Sequence, residues 1–241
     1  MSPQKLQLLV DAAHLAQSAY YPTWCEGGGP YTQWELYEDC GSGSRVFVAN
    51  RGSAVDITFT GTQWWDLRDW LTNFKAWSAS SPLFKGRVHR GYRDAYDSVK
   101  SFIHAKLSVL EAEFGLLSIR IAGHSNGGAL AVFCAQDLAS RPHKLYAAGF
   151  GTPSILSSRA RRDLRCAFYN VISAGDLVPV VSRGRWKPAG TRIYVDRKSN
   201  VFEYTGELIT RLSWCLRSSR GMLTFKPHAM QRYIDLLSCA L

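Results

Sequence analysis

The chain has no apolar run approaching the roughly eighteen residues that a membrane-spanning helix needs, so no such span is predicted. No Pro/Gly/Ser-rich linker, internal repeat or low-complexity tract divides its 241 residues, and a single domain over 1–241 is expected. Close cysteine pairs are also missing. Cys25, Cys40, Cys134, Cys166, Cys215 and Cys239 are scattered, without the spacing of zinc or redox sites, and free buried thiols are the first reading. Cys25 and Cys40, which flank a Gly-rich aromatic segment, would pair only in an oxidising compartment. Lys5, Asp11 and His14 interrupt the apolar positions between Met1 and Tyr20, so this stretch reads as an amphipathic helix and not as a signal peptide. The expected location is therefore the cytoplasm, or outside the cell by a non-classical route.

Acidic residues are scarce in one half. Residues 141–241 hold 17 Lys and Arg against 6 Asp and Glu, whereas residues 1–140 hold 12 against 13. A field of that sign favours anionic surfaces, phospholipid headgroups or nucleic acid, through attraction that salt weakens. No nucleic-acid motif accompanies it, so nucleic acid is a minor option and peripheral contact with an anionic membrane is one reading of the charge. A solvated basic face that serves solubility alone fits the same counts.

With 46% hydrophobic and 20% charged residues, the chain can bury one sizeable core. A Gly-rich loop at Gly27–Pro30 follows the N-terminal helix. Ser44–Asn50 and Ala54–Thr60 then read as two strands, the first sheet pair. A helical pattern from about Tyr92 to Phe114 leads into the β-rich run Ser118–Ala122, and a second helix is read from Gly127 to Ala139. Tyr146–Phe150, Ala167–Ser173 and Arg192–Val195 give further strands, and His228–Leu241 a closing helix. Strands alternating with helices predict an α/β architecture around a largely parallel sheet.

Residues Gly123–His124–Ser125–Asn126–Gly127 fit G-x-S-x-G between a short apolar strand and a helix of small residues. That strand–turn–helix setting is what a nucleophile elbow requires, and glycines on either side relieve the crowding of the sharp turn. A tight turn with an incidental serine is the alternative reading of the same five residues.

A serine hydroxyl becomes a useful nucleophile only when a histidine takes its proton and a carboxylate orients that histidine. After such an elbow the order is Ser, then Asp or Glu, then His. His14, His89, His104 and His124 precede Ser125, and His143 follows it too closely, so His228 is the candidate base. Among Asp137, Asp163, Asp176, Asp196, Glu203 and Glu207, the favoured acid is Asp176. It follows an apolar run, as expected for a loop at the carboxyl end of a strand.

The chain resembles the class 3, fungal-type lipase family of α/β hydrolases. The resemblance rests on Phe59–Thr62, Asp69–Phe74, Val88–Tyr92, the elbow Gly123–Gly128, Phe150–Pro153 and Gly175–Pro179, in that order. It implies the α/β-hydrolase fold, a central, mostly parallel sheet flanked by helices. It also implies an oxyanion hole formed by the backbone N–H groups of Thr62 and Asn126, assisted by the Thr62 hydroxyl. Donors of that kind contribute about 3–4 kcal/mol each. Thr60 stands where the family most often has arginine. His89 matches a structural position and receives no catalytic role.

In the family the segment after the oxyanion residue forms a lid, here carrying Trp64, Trp65, Leu67, Trp70, Leu71 and Phe74 at roughly helical spacing. The stripe suits a lid meeting lipid and equally a buried core helix. The expected activity is serine-dependent hydrolysis of carboxylic esters, lipid esters first, with no metal or organic cofactor. A small-ester carboxylesterase or acyltransferase using the same triad is one rival. The other is an inactive lipase-like module that binds membranes or polyanions.

Overall fold

The computed structural model describes residues 1–20, 31–60, 77–181, 186–204 and 228–241. Thr62, the six lid candidates, the Gly27–Pro30 loop, Cys25 and Cys215 lie outside the described residues.

In chain order the strands are β1 (Gln33–Asp39), β2 (Ser44–Arg51), β3 (Ala54–Phe59), β4 (Ser78–Ser81), β5 (Phe84–His89), β6 (Ser118–His124), β7 (Lys144–Phe150), β8 (Phe168–Ser173), β9 (Thr191–Val195) and β10 (Val201–Tyr204). Among the described residues, eight of them form one sheet in the order β1-β2-β3-β6-β7-β8-β9-β10, while β4 and β5 form a separate antiparallel hairpin. The strands from β3 through β6, β7, β8 and β9 run parallel, with β1, β2 and β10 antiparallel at the edges. This is the expected α/β-hydrolase fold.

Helices cover both faces. α1 (Pro3–Ser18) starts at Ser2, whose Oγ accepts the Lys5 N–H at 3.3 Å, with proline in the first turn. Its Ala12, Ala13 and Ala16 are fully buried, and these short side chains let the helix lie close to the sheet. α1 shares an apolar cluster with Ala122, Ala148, Phe150, Val171 and Ile193, and with Met230, Tyr233, Ile234 and Leu237 of α6 (Met230–Ser238). The spacing of those four residues makes one apolar stripe on α6. The opposite face carries α2 (Arg90–Phe114) and α3 (Asn126–Leu138), packed over Val55, Ile57, Ile119 and Ile121. Among the described residues two short helices complete the set, α4 (Ser158–Arg162) and α5 (Val178–Val181).

The parallel register aligns the strand ends. Phe59 pairs with Gly123, Gly123 with Gly149, and His124 with Phe150. The chain segments beginning at Thr60, Ser125 and Gly151 therefore leave the sheet along one edge, where open α/β sheets assemble their sites.

The structure differs from the sequence reading at the margins. Ser44–Arg51 and Ala54–Phe59 do pair, but β1 lies outside them as the true edge. α2 begins at Arg90, not Tyr92, and the closing helix is Met230–Ser238. Cys134 is buried as expected of a free thiol, whereas Cys40 and Cys239 are exposed. No helix among the described residues is long and apolar enough to cross a membrane.

Candidate active site

β6 ends at His124, and Ser125 turns the chain into α3 with φ 56° and ψ −123°. A positive φ at a residue with a Cβ costs on the order of 1–3 kcal/mol. The surroundings enforce it. Ser125 N–H donates to the Phe150 carbonyl at 2.8 Å. A Cβ on Gly123 would sit 2.2 Å from the Gly127 carbonyl oxygen, and one on Gly128 would sit 2.3 Å from Thr152 Oγ1. The two glycines are thus required by direct crowding, the reason expected from the motif. Asn126 opens α3, at the positive end of the helix dipole, and Tyr92 OH donates to its Oδ1 at 2.7 Å.

Asp176 leaves the carboxyl end of β8 and is fully buried. Its Oδ1 accepts the Val178 N–H at 2.9 Å, and its Oδ2 accepts from His228 Nδ1 at 2.9 Å and from Tyr233 OH. A carboxylate only accepts, so the proton of a neutral His228 stays on Nδ1 and Nε2 keeps a lone pair. Ser125 Oγ and His228 Nε2 are both buried and, among the described residues, neither has a hydrogen bond.

Gly151 fits against this pair. It has φ 59°, and a Cβ there would stand 2.7 Å from Asp176 Oδ2 and 2.7 Å from His228 Cε1 and Nδ1.

His124 contacts the same pair from the other side. Its ring lies 4.6 Å from that of His228, centroid to centroid. His124 Nε2 donates to the His228 carbonyl oxygen at 2.6 Å, which leaves Nδ1 to accept from Tyr20 OH at 2.9 Å. Burial, reinforced by His228, holds His124 well below the ordinary imidazole range.

The other candidates are engaged elsewhere. Asp137 takes Tyr96, His104 and Lys100. Asp163 accepts the Lys85 N–H, Asp196 accepts from Lys198 and Asn200, and Glu203 pairs with Lys5. Glu207 lies outside the described residues. His143 bonds Glu111. Of the two residues expected to form the oxyanion hole, Thr62 and Asn126, only Asn126 is described. Sequence reasoning missed Tyr233, Tyr20 and the steric role of Gly151. The phenylalanine–glycine–threonine–proline match at Phe150–Pro153 was the available signal for Gly151. Among the described residues, no group of three or more His, Cys, Asp and Glu could hold a metal ion.

His89 lies between Tyr92 and Trp186, ring centroids 5.0 and 5.7 Å away, and burial pushes its pKa down to about 4. An unfolded chain binds that proton near the ordinary value of about 6.5. Between the two values the unfolded state holds more protons, so the stability due to neutral His89 is whole above about pH 6.5 and is lost towards pH 4. Urea-unfolding midpoints are expected to fall over that window, and to fall less steeply in His89→Gln. Parallel curves for the two proteins would rule this out.

The family model for lipase (class 3) matches residues 57–185, more than half of the chain. That span includes Ser125 and Asp176 and stops before His228. A lipase of Rhizomucor miehei is 31% identical over 92 residues, 38% of this chain and 25% of the relative. The lipase-like protein PAD4 of Arabidopsis thaliana is 35% identical over 114 residues, 43% of this chain and 21% of the relative. The matches thus span about a quarter or less of these two relatives' own length. In the solved structure of Rhizomucor miehei triacylglyceride lipase, 94% of that chain and 95% of this one superpose with a TM-score of 0.78 at 19% identity.

Proposed function

Because the chain belongs to the class 3 lipase family, we propose that it hydrolyses carboxylic esters of lipids through an acyl-enzyme, with Ser125 as nucleophile, His228 as general base and Asp176 as its orienting acid. The observation that carries this reading is the buried Asp176–His228 hydrogen bond beside a serine held at positive φ. His228 Nε2 takes the Ser125 proton as Oγ attacks the ester carbonyl. Asp176 stabilises the resulting imidazolium. The Asn126 N–H and, by the family pattern, Thr62 receive the developing oxyanion. His228 then returns the proton to the departing alkoxide, and water repeats the cycle on the acyl-enzyme. No step calls for a metal or organic cofactor.

The test is a series of p-nitrophenyl esters from acetate to palmitate, run beside labelling with a fluorophosphonate. Hydrolysis with the label mapped to Ser125 is the expected result. A rate maximum at long chains identifies a lipase, one at acetate a small-ester esterase, and rates raised by added alcohol an acyltransferase. Absent hydrolysis and labelling, with or without a lipid interface, would leave the inactive binding module as the better reading.

The hydrogen bonds from Tyr20 through His124 to the His228 carbonyl support a positioning role for both residues. His124 fixes the main chain of the base, and Tyr20 fixes the tautomer that lets His124 do so. Tyr20→Phe is expected to lower kcat about tenfold with KM nearly unchanged, since small displacements of a catalytic group are costly. An unchanged kcat would remove the role.

A further inference from the structure

We propose that the outer side of β5 and α4 is a docking face for an anionic phospholipid bilayer. Gly86 brings the two elements together, because a Cβ there would lie 2.7 Å from the Ala160 amide nitrogen and 3.1 Å from Arg159 Cβ. Hydrogen bonds stitch the seam: Arg87 N–H to Ser157 Oγ at 3.0 Å, Ser157 N–H to the Arg87 carbonyl at 2.9 Å, and Lys85 N–H to Asp163 Oδ2 at 2.6 Å. The contact gathers the exposed side chains of Lys85, Arg87, Arg159, Arg161, Arg162 and Arg165. Asp163 is the one carboxylate in the sequence of either segment, and one of its oxygens is already used.

Several cations elsewhere are neutralised locally. Lys5 pairs with Glu203, Arg45 with Glu38, Arg120 with Asp56 and Arg141 with Glu111. Lys85, Arg87, Arg159, Arg162 and Arg165 enter no ion pair among the described residues. Among the described residues their charge is uncompensated, and a planar array of phosphates complements it.

Two observations favour a bilayer over a soluble polyanion. Trp77 borders the face with 60% of its surface exposed, and the Arg90 guanidinium lies 6.0 Å from its ring. An indole beside cations suits the headgroup boundary. β5 also runs directly into α2, whose Tyr92 holds Asn126 beside Ser125, so this end of the face adjoins the catalytic serine. The choice of lipid rests on the ester-hydrolase reading, whereas the binding itself does not depend on catalysis.

Co-sedimentation with vesicles of phosphatidylcholine alone, and of phosphatidylcholine mixed with phosphatidylserine, tests the face. The wild-type protein is expected to sediment with the mixed vesicles only and to be released by salt. Replacing Lys85, Arg159, Arg162 and Arg165 together by glutamine should weaken that binding at least about tenfold. Hydrolysis of soluble p-nitrophenyl acetate should stay unchanged and so report an intact fold. Equal vesicle binding by both proteins, or sedimentation with neither vesicle, overturns the proposal. Binding to heparin or an oligonucleotide without vesicle binding overturns it in favour of a soluble polyanion. Vesicle binding by a protein that hydrolyses no ester would keep the face and reject the enzymatic reading.

Discussion

Ser125→Ala is expected to lower ester hydrolysis by on the order of 10⁵-fold or more, and Ser125→Gly to be equally inactive yet more stable than Ser125→Ala. The first effect follows from losing the attacking oxygen. The second follows from the backbone. At φ 56° and ψ −123° any Cβ is strained, and alanine keeps that strain whereas glycine releases it. Glycine's greater freedom in the unfolded chain offsets part of the gain. A net difference of about 1 kcal/mol remains, or roughly 2–4 °C in the melting temperature at this chain length. Thermal unfolding of the two variants, with steady-state rates on p-nitrophenyl butyrate, checks both halves. Substantial residual turnover in either variant would displace Ser125 as nucleophile. A glycine variant no more stable than the alanine variant would mean that the turn carries no strain.

Gly151→Ala is expected to reduce kcat by about 10²- to 10³-fold with far less effect on KM. The added methyl group would meet Asp176 Oδ2 and the His228 ring at 2.7 Å, and φ 59° disfavours it further. Asp176 has no room to retreat, because it is also held by the Val178 N–H and by Tyr233. The imidazole must tilt, and its Nε2 then misses the serine proton. Retained labelling of Ser125 at a reduced rate in a folded protein would match that account. Wild-type kcat in Gly151→Ala would show that the contact is slack.

The contrast between what the sequence announces and what it conceals has a physical basis. β6, the elbow and α3 announce themselves because apolar periodicity and glycine spacing are local, and the proposed acid and base, Asp176 and His228, are reached by imposing chain order. β1 does not, since Gln33, Glu35 and Asp39 make a polar edge strand with little buried surface to set a period. The serine-rich β4 and the four-residue β10 are too short to do so. Tyr233 meets Asp176 across 57 positions and Tyr20 meets His124 across 104, so neither contact leaves a trace in its own neighbourhood. The identity of Gly151 was visible, but its reason exists only when β7, β8 and α6 come together.

The base of the proposed triad rides on a small piece of the molecule. His228 lies two residues before α6, a nine-residue helix docked on α1. Pieces of that size open at free energies well below those of central strands. On warming, α6 is expected to carry His228 away while β3, β6, β7 and β8 still stand. Under the proposed triad, the working lifetime in heat is expected to be set by how firmly one short helix stays seated.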